Sequence, residues 1–82
     1  MSNIIRLKIK KEVDTVTARK ILKLKGQLIA QSYTDLIHYD DADDDNYIHY
    51  FTTEASKKKE IIEYITSYIQ EMGIAQIVST IP

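Results

Sequence analysis

The order and spacing of the apolar residues predict an α+β domain that runs strand, helix, strand, strand, helix, strand. Over residues 4–10 apolar and polar side chains alternate, which is the period of a half-buried strand. Over residues 61–72 apolar side chains recur every three or four positions, which is the period of an amphipathic helix. Between them, an acidic run at 40–46 separates two segments rich in β-branched and aromatic residues, which predicts a hairpin.

The first part of the chain is predicted to form one strand and one helix. The strand covers residues 4–10, with apolar side chains at the odd positions from 5 onward and basic side chains at the even positions from 6 onward. Asp14 or Thr15 can accept a backbone N–H and begin a helix, and Gly26 can end it in the left-handed conformation. We therefore expect the first helix to end at Gly26.

The second and third strands are predicted on either side of the acidic run. Residues 27–39 contain no helix breaker and many β-branched and aromatic side chains, so they are predicted to form a long second strand. Its 13 residues exceed the usual strand length, which predicts a bulge within residues 31–35. The acidic run turns the chain, and residues 47–53 form the third strand of a hairpin.

The last helix and strand complete the predicted order. The long helix can begin at Thr53 or Ser56 and end at Gly73, and residues 74–81 are predicted to form a short final strand. A chain of 82 residues supports a single core, so we predict one domain over residues 1–82. The element order predicts the ferredoxin-like βαββαβ fold, in which a four-stranded antiparallel sheet carries two helices on one face.

The predicted hairpin has apolar side chains on both faces. A symmetric turn over the acidic run pairs Tyr39 with Tyr47 on one face and His38 with Ile48 on the other. The helices of this fold cover only one face of the sheet. Because exposed apolar patches mark contacts, we predict that a second copy of the chain covers the other face and that the protein is a homodimer.

Charge is strongly polarised along a nearly neutral chain. Residues 1–26 have a net charge of +6 and residues 27–56 have a net charge of −7, while the whole chain has a net charge of −1. This pattern is typical either of solvated faces with local pairing or of complementary patches that orient a partner.

The acidic run partly resembles a calcium-binding loop. Asp41, Asp43 and Asp45 occupy the first, third and fifth positions of an EF-hand-like loop, and they are weak candidate metal ligands. The other positions do not fit, because Asn46 replaces the Gly of the sixth position and Thr52 replaces the Glu of the twelfth. We therefore expect no specific metal and no cofactor.

Candidate catalytic chemistry is sparse. His38 and His49 flank the acidic run and could act as ligands or as an acid–base pair. The chain has no Cys and no Gly-rich phosphate loop, and its other residues form no arrangement typical of an activated nucleophile. We therefore predict that the two histidines are ordinary strand residues and that the protein is not an enzyme.

Nucleic-acid binding is a second possibility, because RRM domains share this topology and stack bases on aromatics of their first and third strands. The third strand offers Tyr47, Tyr50 and Phe51, but the first strand has Arg6 and Lys8 where an aromatic would be expected. The candidate phosphate contacts are Arg6, Lys8, Lys10, Arg19 and Lys23.

Several segments resemble the ACT regulatory domains of amino-acid metabolism over nearly the full chain. They are the alternating strand at 5–9, the Lys25-Gly26 pair before the second strand, the acidic hairpin, the Phe51-Thr52-Thr53-Glu54 segment before the long helix, and Gly73-Ile74 after it. The resemblance implies a regulatory role with side-by-side or face-to-face sheet association. Residues 11–15 contain no Gly or Pro, where ACT domains carry the turn that binds effector amino acids, so the resemblance assigns no effector site.

We thus predict a non-catalytic protein-interaction or regulatory module that is homodimeric, cytoplasmic and free of membrane contact. It would bind an unidentified protein partner through the open face of the sheet and the acidic hairpin at 36–50. The predicted contact residues are Tyr39, Asp40, Asp41, Asp43, Asp44, Asp45, Tyr47 and His49. The alternatives are a nucleic-acid-associated protein that uses the first strand and first helix, and a small inhibitor or immunity-type protein whose acidic hairpin mimics a polyanion.

Overall fold

A computed structural model describes residues 3–81 as one four-stranded antiparallel sheet with two helices packed on one of its faces. The elements are β1 (Ile4–Lys10), α1 (Thr15–Ala30), β2 (His38–Asp41), β3 (Asn46–Thr52), α2 (Lys58–Met72) and β4 (Val78–Ile81), with a 3-10 turn at Ala55–Lys57. The strands lie in the order β2-β3-β1-β4, and β1 is antiparallel to both of its neighbours. The predicted ferredoxin-like βαββαβ fold is confirmed.

The core lies between the helices and the face of the sheet formed by the odd-numbered residues of β1. Ile5, Leu7 and Ile9 are at most 3% exposed, whereas the even-numbered residues from Arg6 to Lys10 are exposed. Burying each such side chain stabilises the fold by about 1.5–3 kcal/mol. The core consists of Ile5, Leu7, Ile9, Ile21, Leu24, Leu28, Phe51, Ile61, Ile65, Tyr68, Ile69, Ile74 and Val78.

Helix α1 begins as predicted but continues beyond its predicted end. The Asp14 carboxylate accepts a hydrogen bond of 2.7 Å from the Thr17 amide, which caps the helix. The expected end at Gly26 is wrong, because the helix continues to Ala30 and buries Leu28 completely. Burial of Leu28 outweighs the cost of about 1 kcal/mol for a glycine inside a helix.

The long second strand predicted over residues 27–39 is also wrong. Residues 27–30 belong to α1, residues 31–37 are irregular, and β2 covers only His38–Asp41. Ser32 follows the helix with a φ of 62°, a left-handed conformation that turns the chain out of it. The predicted bulge within 31–35 is therefore replaced by a helix end and a loop.

The predicted hairpin is confirmed, but its register differs by two residues from the symmetric pairing. Tyr39 lies opposite His49, and Asp41 lies opposite Tyr47. Asp43 holds the turn at residues 42–45, so two acidic residues of the run join β2. A shift of two residues keeps every side chain on its predicted face, and the grouping of residues into two faces is therefore retained.

The boundaries of the last two elements agree only in part with the prediction. Helix α2 ends at Gly73, which has a φ of 70° as expected. Its start is not capped by Thr53 or Ser56, since the helix continues from the 3-10 turn and no side chain caps it. Strand β4 starts at Val78 rather than at Ile74, because the Ile74 carbonyl accepts the amides of residues 77 and 78 and forms a turn.

The two glycines are expected to respond oppositely to alanine. Gly26 lies inside a regular helix, and the methyl group of Gly26→Ala would meet no atom of residues 3–81 within 4 Å. The free energy of unfolding should therefore be higher than in the wild type by about 0.5–1 kcal/mol. In Gly73→Ala the φ of 70° strains any residue with a Cβ, so unfolding should cost about 1 kcal/mol less. Urea denaturation measures both changes, and a stabilised Gly73→Ala would contradict the helix end described here.

Candidate interaction surface on the open sheet face

The face of the sheet opposite the helices, here called the open face, has a row of cations along its central strand. Arg6, Lys8 and Lys10 project from β1 on this side and are all exposed. The predicted exposure of these three side chains is thus confirmed. The open face is formed by Ile4, Arg6, Lys8, Lys10, His38, Asp40, Asn46, Ile48, Tyr50, Thr52, Ser79 and Ile81.

The strand register arranges this face in rows across the sheet. In one row Asp40 of β2 lies beside Ile48 of β3, and Ile48 lies beside Lys8 of β1. Ile48 is only half-buried, so an apolar side chain remains accessible between two charges of opposite sign. Such a mixed row is suited to contact with a protein surface.

The neighbouring row carries an aromatic pair. The rings of His38 and Tyr50 stack with centroids 5.3 Å apart and an interplanar angle of 23°. The Tyr50 hydroxyl donates to the Asp40 carboxylate at 3.4 Å. These contacts hold the Tyr50 ring against the sheet, and Arg6 lies on its other side in the register.

The charges of the open face are not neutralised within it. Lys8 and Asp40 are two strand spacings apart, about 10 Å, and they form no ion pair within residues 3–81. The ion pair of the hairpin joins Lys11 and Asp41 at 3.0 Å, and Asp41 lies on the helix side of the sheet opposite Tyr47. The open face therefore presents to a partner a column of three cations on β1 and, separated from it, the single carboxylate of Asp40 on β2.

At the hairpin tip, one aspartate shapes the turn. Asp43 Oδ1 accepts hydrogen bonds of 2.8 Å from the amides of Asp45 and Asn46 and one of 3.0 Å from Asn46 Nδ2. These bonds lower the pKa of the Asp43 carboxyl group, and the bond from the Asp45 amide has the largest effect. All three aspartates are exposed, but only Asp43 is held by the hydrogen bonds of the turn and is therefore a structural residue.

The weak metal candidates do not share a site. Asp41 contacts Lys11, and the Asp43 carboxylate is used by the turn. Among residues 3–81, no three His or acidic side chains come together in a way that could hold a metal ion. The EF-hand-like spacing of the three aspartates therefore has no geometric counterpart in this part of the chain.

The predicted contact residues lie on two different faces. Asp40 belongs to the open face, whereas Tyr39, Asp41, Tyr47 and His49 project toward the helix side. His38 and His49 are likewise on opposite faces and cannot act together. The candidate phosphate contacts are also divided, because Arg19 and Lys23 belong to α1, on the far side of the sheet from the β1 cations.

The helix side of the hairpin contains an aromatic cluster around His49. Its ring stacks on Tyr39 with centroids 5.5 Å apart, and Tyr47 meets it edge-on at 6.1 Å. Lys11 lies over the Tyr47 ring and Lys25 over the Tyr39 ring, at 5.1 and 6.0 Å from their centroids. Lys25 is the contact of this cluster with α1, while Tyr39 itself is 63% exposed.

His49 itself is buried with an unsatisfied nitrogen. The residue is only 7% exposed, and its Nδ1 atom has no hydrogen-bond partner among residues 3–81. Burial lowers the pKa of His49 to about 4, and the charge of Lys25 acts in the same direction. The residue is therefore neutral near pH 7. The sequence contained a signal for this burial, since His49 lies two positions from Phe51 and so on the same face of the strand.

Comparisons with known proteins identified no similar protein. A scan against protein-family models, a search of curated proteins and a search of solved structures each gave no match. Within residues 3–81, neither helix has the length and apolar character needed to cross a membrane.

Replacing Asp43 is expected to destabilise the hairpin. In Asp43→Ala three hydrogen-bond donors lose their acceptor, so the midpoint of urea unfolding should fall. The matched variant Asp44→Ala removes the same charge but keeps the three hydrogen bonds to Asp43, so the midpoint should be unchanged. Equal effects of the two variants would show that charge, not the turn, determines the result.

The neutral state of His49 predicts a pH-dependent stability. The unfolded chain takes up a proton on this residue below about pH 6.5, while the folded chain does so only near pH 4. The free energy of unfolding should have its full value above pH 6.5, and it should fall by about 2–3 kcal/mol as the pH falls to 4.

The matched variant for this effect is His49→Phe, which keeps an aromatic ring and has no titrating group. Its unfolding free energy should lack the decline between pH 6.5 and about 5, and below that it should fall less than in the wild type, because only carboxyl groups such as Asp43 then take up protons. At pH 7 it should be higher by about 1 kcal/mol, because the unpaired buried nitrogen is removed. Urea denaturation across this pH range provides the measurement. An identical pH profile in both proteins would contradict the burial of His49.

Proposed function

We propose that this chain is a non-catalytic protein-interaction or regulatory module that binds through the open face and acts as a homodimer. The observation that supports this best is the row of Asp40, Ile48 and Lys8, which combines an accessible apolar centre with a carboxylate and a cation that form no ion pair within residues 3–81. A surface of this kind gains from contact with another protein, because apolar burial and charge pairing are both available to it.

The resemblance to ACT domains agrees with a regulatory role. It relies on the order of the elements and on residues 51–54 before α2, since α1 passes through Lys25-Gly26 instead of ending there. The acidic hairpin tip, with Asp44 and Asp45 exposed, would add a negative surface that suits a basic partner.

Binding of single-stranded nucleic acid is the second candidate function. It is supported by the stacked Tyr50 and His38 rings next to the cations of β1, since aromatic platforms and cations together bind such strands. Asp40 argues against it, because its carboxylate lies at the Tyr50 hydroxyl and would repel phosphate. Protein binding is therefore the better supported function.

The proposed function predicts that Ile48→Lys abolishes capture of protein partners. A charged residue at the centre of the open face should reduce the capture of specific proteins from host lysate at least about 10-fold, because it removes the apolar centre. The matched variant Thr66→Lys changes an exposed position of α2 and should capture the same proteins as the wild type. Circular dichroism checks that both variants are folded, and mass spectrometry quantifies the captured proteins.

Two results would contradict this proposal. One is undiminished capture by folded Ile48→Lys. The other is tight binding of a labelled single-stranded oligonucleotide that falls steeply with salt and is weakened by Arg6→Ala, which would favour the nucleic-acid function.

A further inference from the structure

The charges of the open face are arranged symmetrically about β3. Seen across the sheet, Asp40 lies one strand spacing to one side of Ile48 and Lys8 lies one strand spacing to the other. Two sheets that face each other can be related by a twofold axis that lies between them and runs parallel to β3. This axis places the β1 side of one copy opposite the β2 side of the other copy. Lys8 of one copy then faces Asp40 of the other, and the same pair forms a second time by symmetry.

From this arrangement, and on the basis of the proposed function, we infer that the partner of the open face is a second copy of the same chain, packed face to face with its β3 aligned on the twofold axis. In this dimer Ile48 contacts Ile48 of the partner copy at the centre. Two Lys8–Asp40 pairs, which are not formed within residues 3–81 of one chain, flank that contact.

The neighbouring row is compatible with the same axis. Tyr50 would meet Tyr50 of the partner copy, and Arg6 would lie over the His38 ring of the partner copy. An Arg above an aromatic or imidazole ring is a favourable contact, and no like charges are opposed in this row. Both rows thus place unlike or neutral groups opposite each other.

The dimensions of two packed sheets permit these pairs. Facing sheets pack about 10 Å apart, a distance that a lysine and an aspartate can span together. Aligned sheets cross at about 30°. At one strand spacing from the axis this rotation displaces a side chain by only about 2 Å, which is less than one residue along a strand.

The expected dimer is weak. With the axis along β3, only β1, β2 and β3 face strands of the partner copy, and at about 4.8 Å spacing and about 3.3 Å per residue they give a face of roughly 300 Å². Two copies would therefore bury roughly 600 Å². Interfaces far below about 1,200 Å² are characteristic of transient complexes, and we expect a Kd of roughly hundreds of micromolar. The charge pairs should make this Kd rise with ionic strength.

The experiment is sedimentation equilibrium of the wild type and of charge-reversed variants at about 50 mM salt, where screening is modest. Lys8→Glu alone and Asp40→Lys alone each place like charges opposite each other twice, so each should raise the Kd at least about 10-fold. An equimolar mixture of these two variants should dimerise nearly as well as the wild type. In the mixed dimer the introduced glutamate of one copy faces the introduced lysine of the other, and the native Lys8 and Asp40 face each other on the opposite side of the axis.

Two control variants accompany this measurement. Lys59→Glu makes the same charge change on the exposed side of α2 and should leave the Kd within about 2-fold of the wild-type value, since it lies away from the open face. The double variant of Lys8→Glu and Asp40→Lys keeps the wild-type net charge and should restore the dimer. Circular dichroism confirms folding of every variant.

The inference is overturned if the wild type sediments as a 9.5 kDa monomer at about 1 mM protein, a concentration at which even a weak complex forms. It is also overturned if mixing the single variants restores nothing. In either case, loss of partner capture by Ile48→Lys would leave standing the part of the proposed function in which the open face binds another protein, whereas undiminished capture would remove that part as well.

Discussion

The structure depends on the alternation of side chains along β1. This strand lies between β3 and β4, and over residues 4–10 it is paired with β3 along its whole length. Because successive side chains point to opposite faces, the same seven residues supply Ile5, Leu7 and Ile9 to the core and place three cations on the open face. A one-residue change of register in β1 would therefore expose the core and bury the cations, which ties the candidate interaction surface to the stability of the fold.

Local periodicity was sufficient to predict those elements in which the alternation of buried and exposed residues is visible within the element itself. Strand β1 has its predicted boundaries, β3 differs by one residue, and α2 ends at Gly73. The boundary between α1 and β2 could not be predicted in this way. Gly26 favoured a helix end, and the β-branched and aromatic residues that follow it favoured a strand. The packing of Leu28 against the core decides this boundary, and it is a tertiary interaction that no local pattern records.

The candidate surface was predictable in composition but not in arrangement. Exposure of Arg6, Lys8 and Lys10 follows from alternation alone. The row of Asp40, Ile48 and Lys8 depends on the hairpin register, which is determined by the hydrogen bonds of Asp43 and not by the centre of the acidic run. The division of the predicted contact residues between two faces does not depend on that register, since alternation along β2 and β3 determines each residue's side of the sheet and a shift of two residues leaves it unchanged.

The shortness and acidity of β2 have a consequence for solubility. As the outermost strand it leaves one row of backbone amides and carbonyls available to another chain, and such edges can template aggregation. It has only four residues, all exposed, and two adjacent ones are aspartates. Another β2 added along this edge would bring carboxylates together, so the edge resists uncontrolled sheet extension and directs association away from fibre growth.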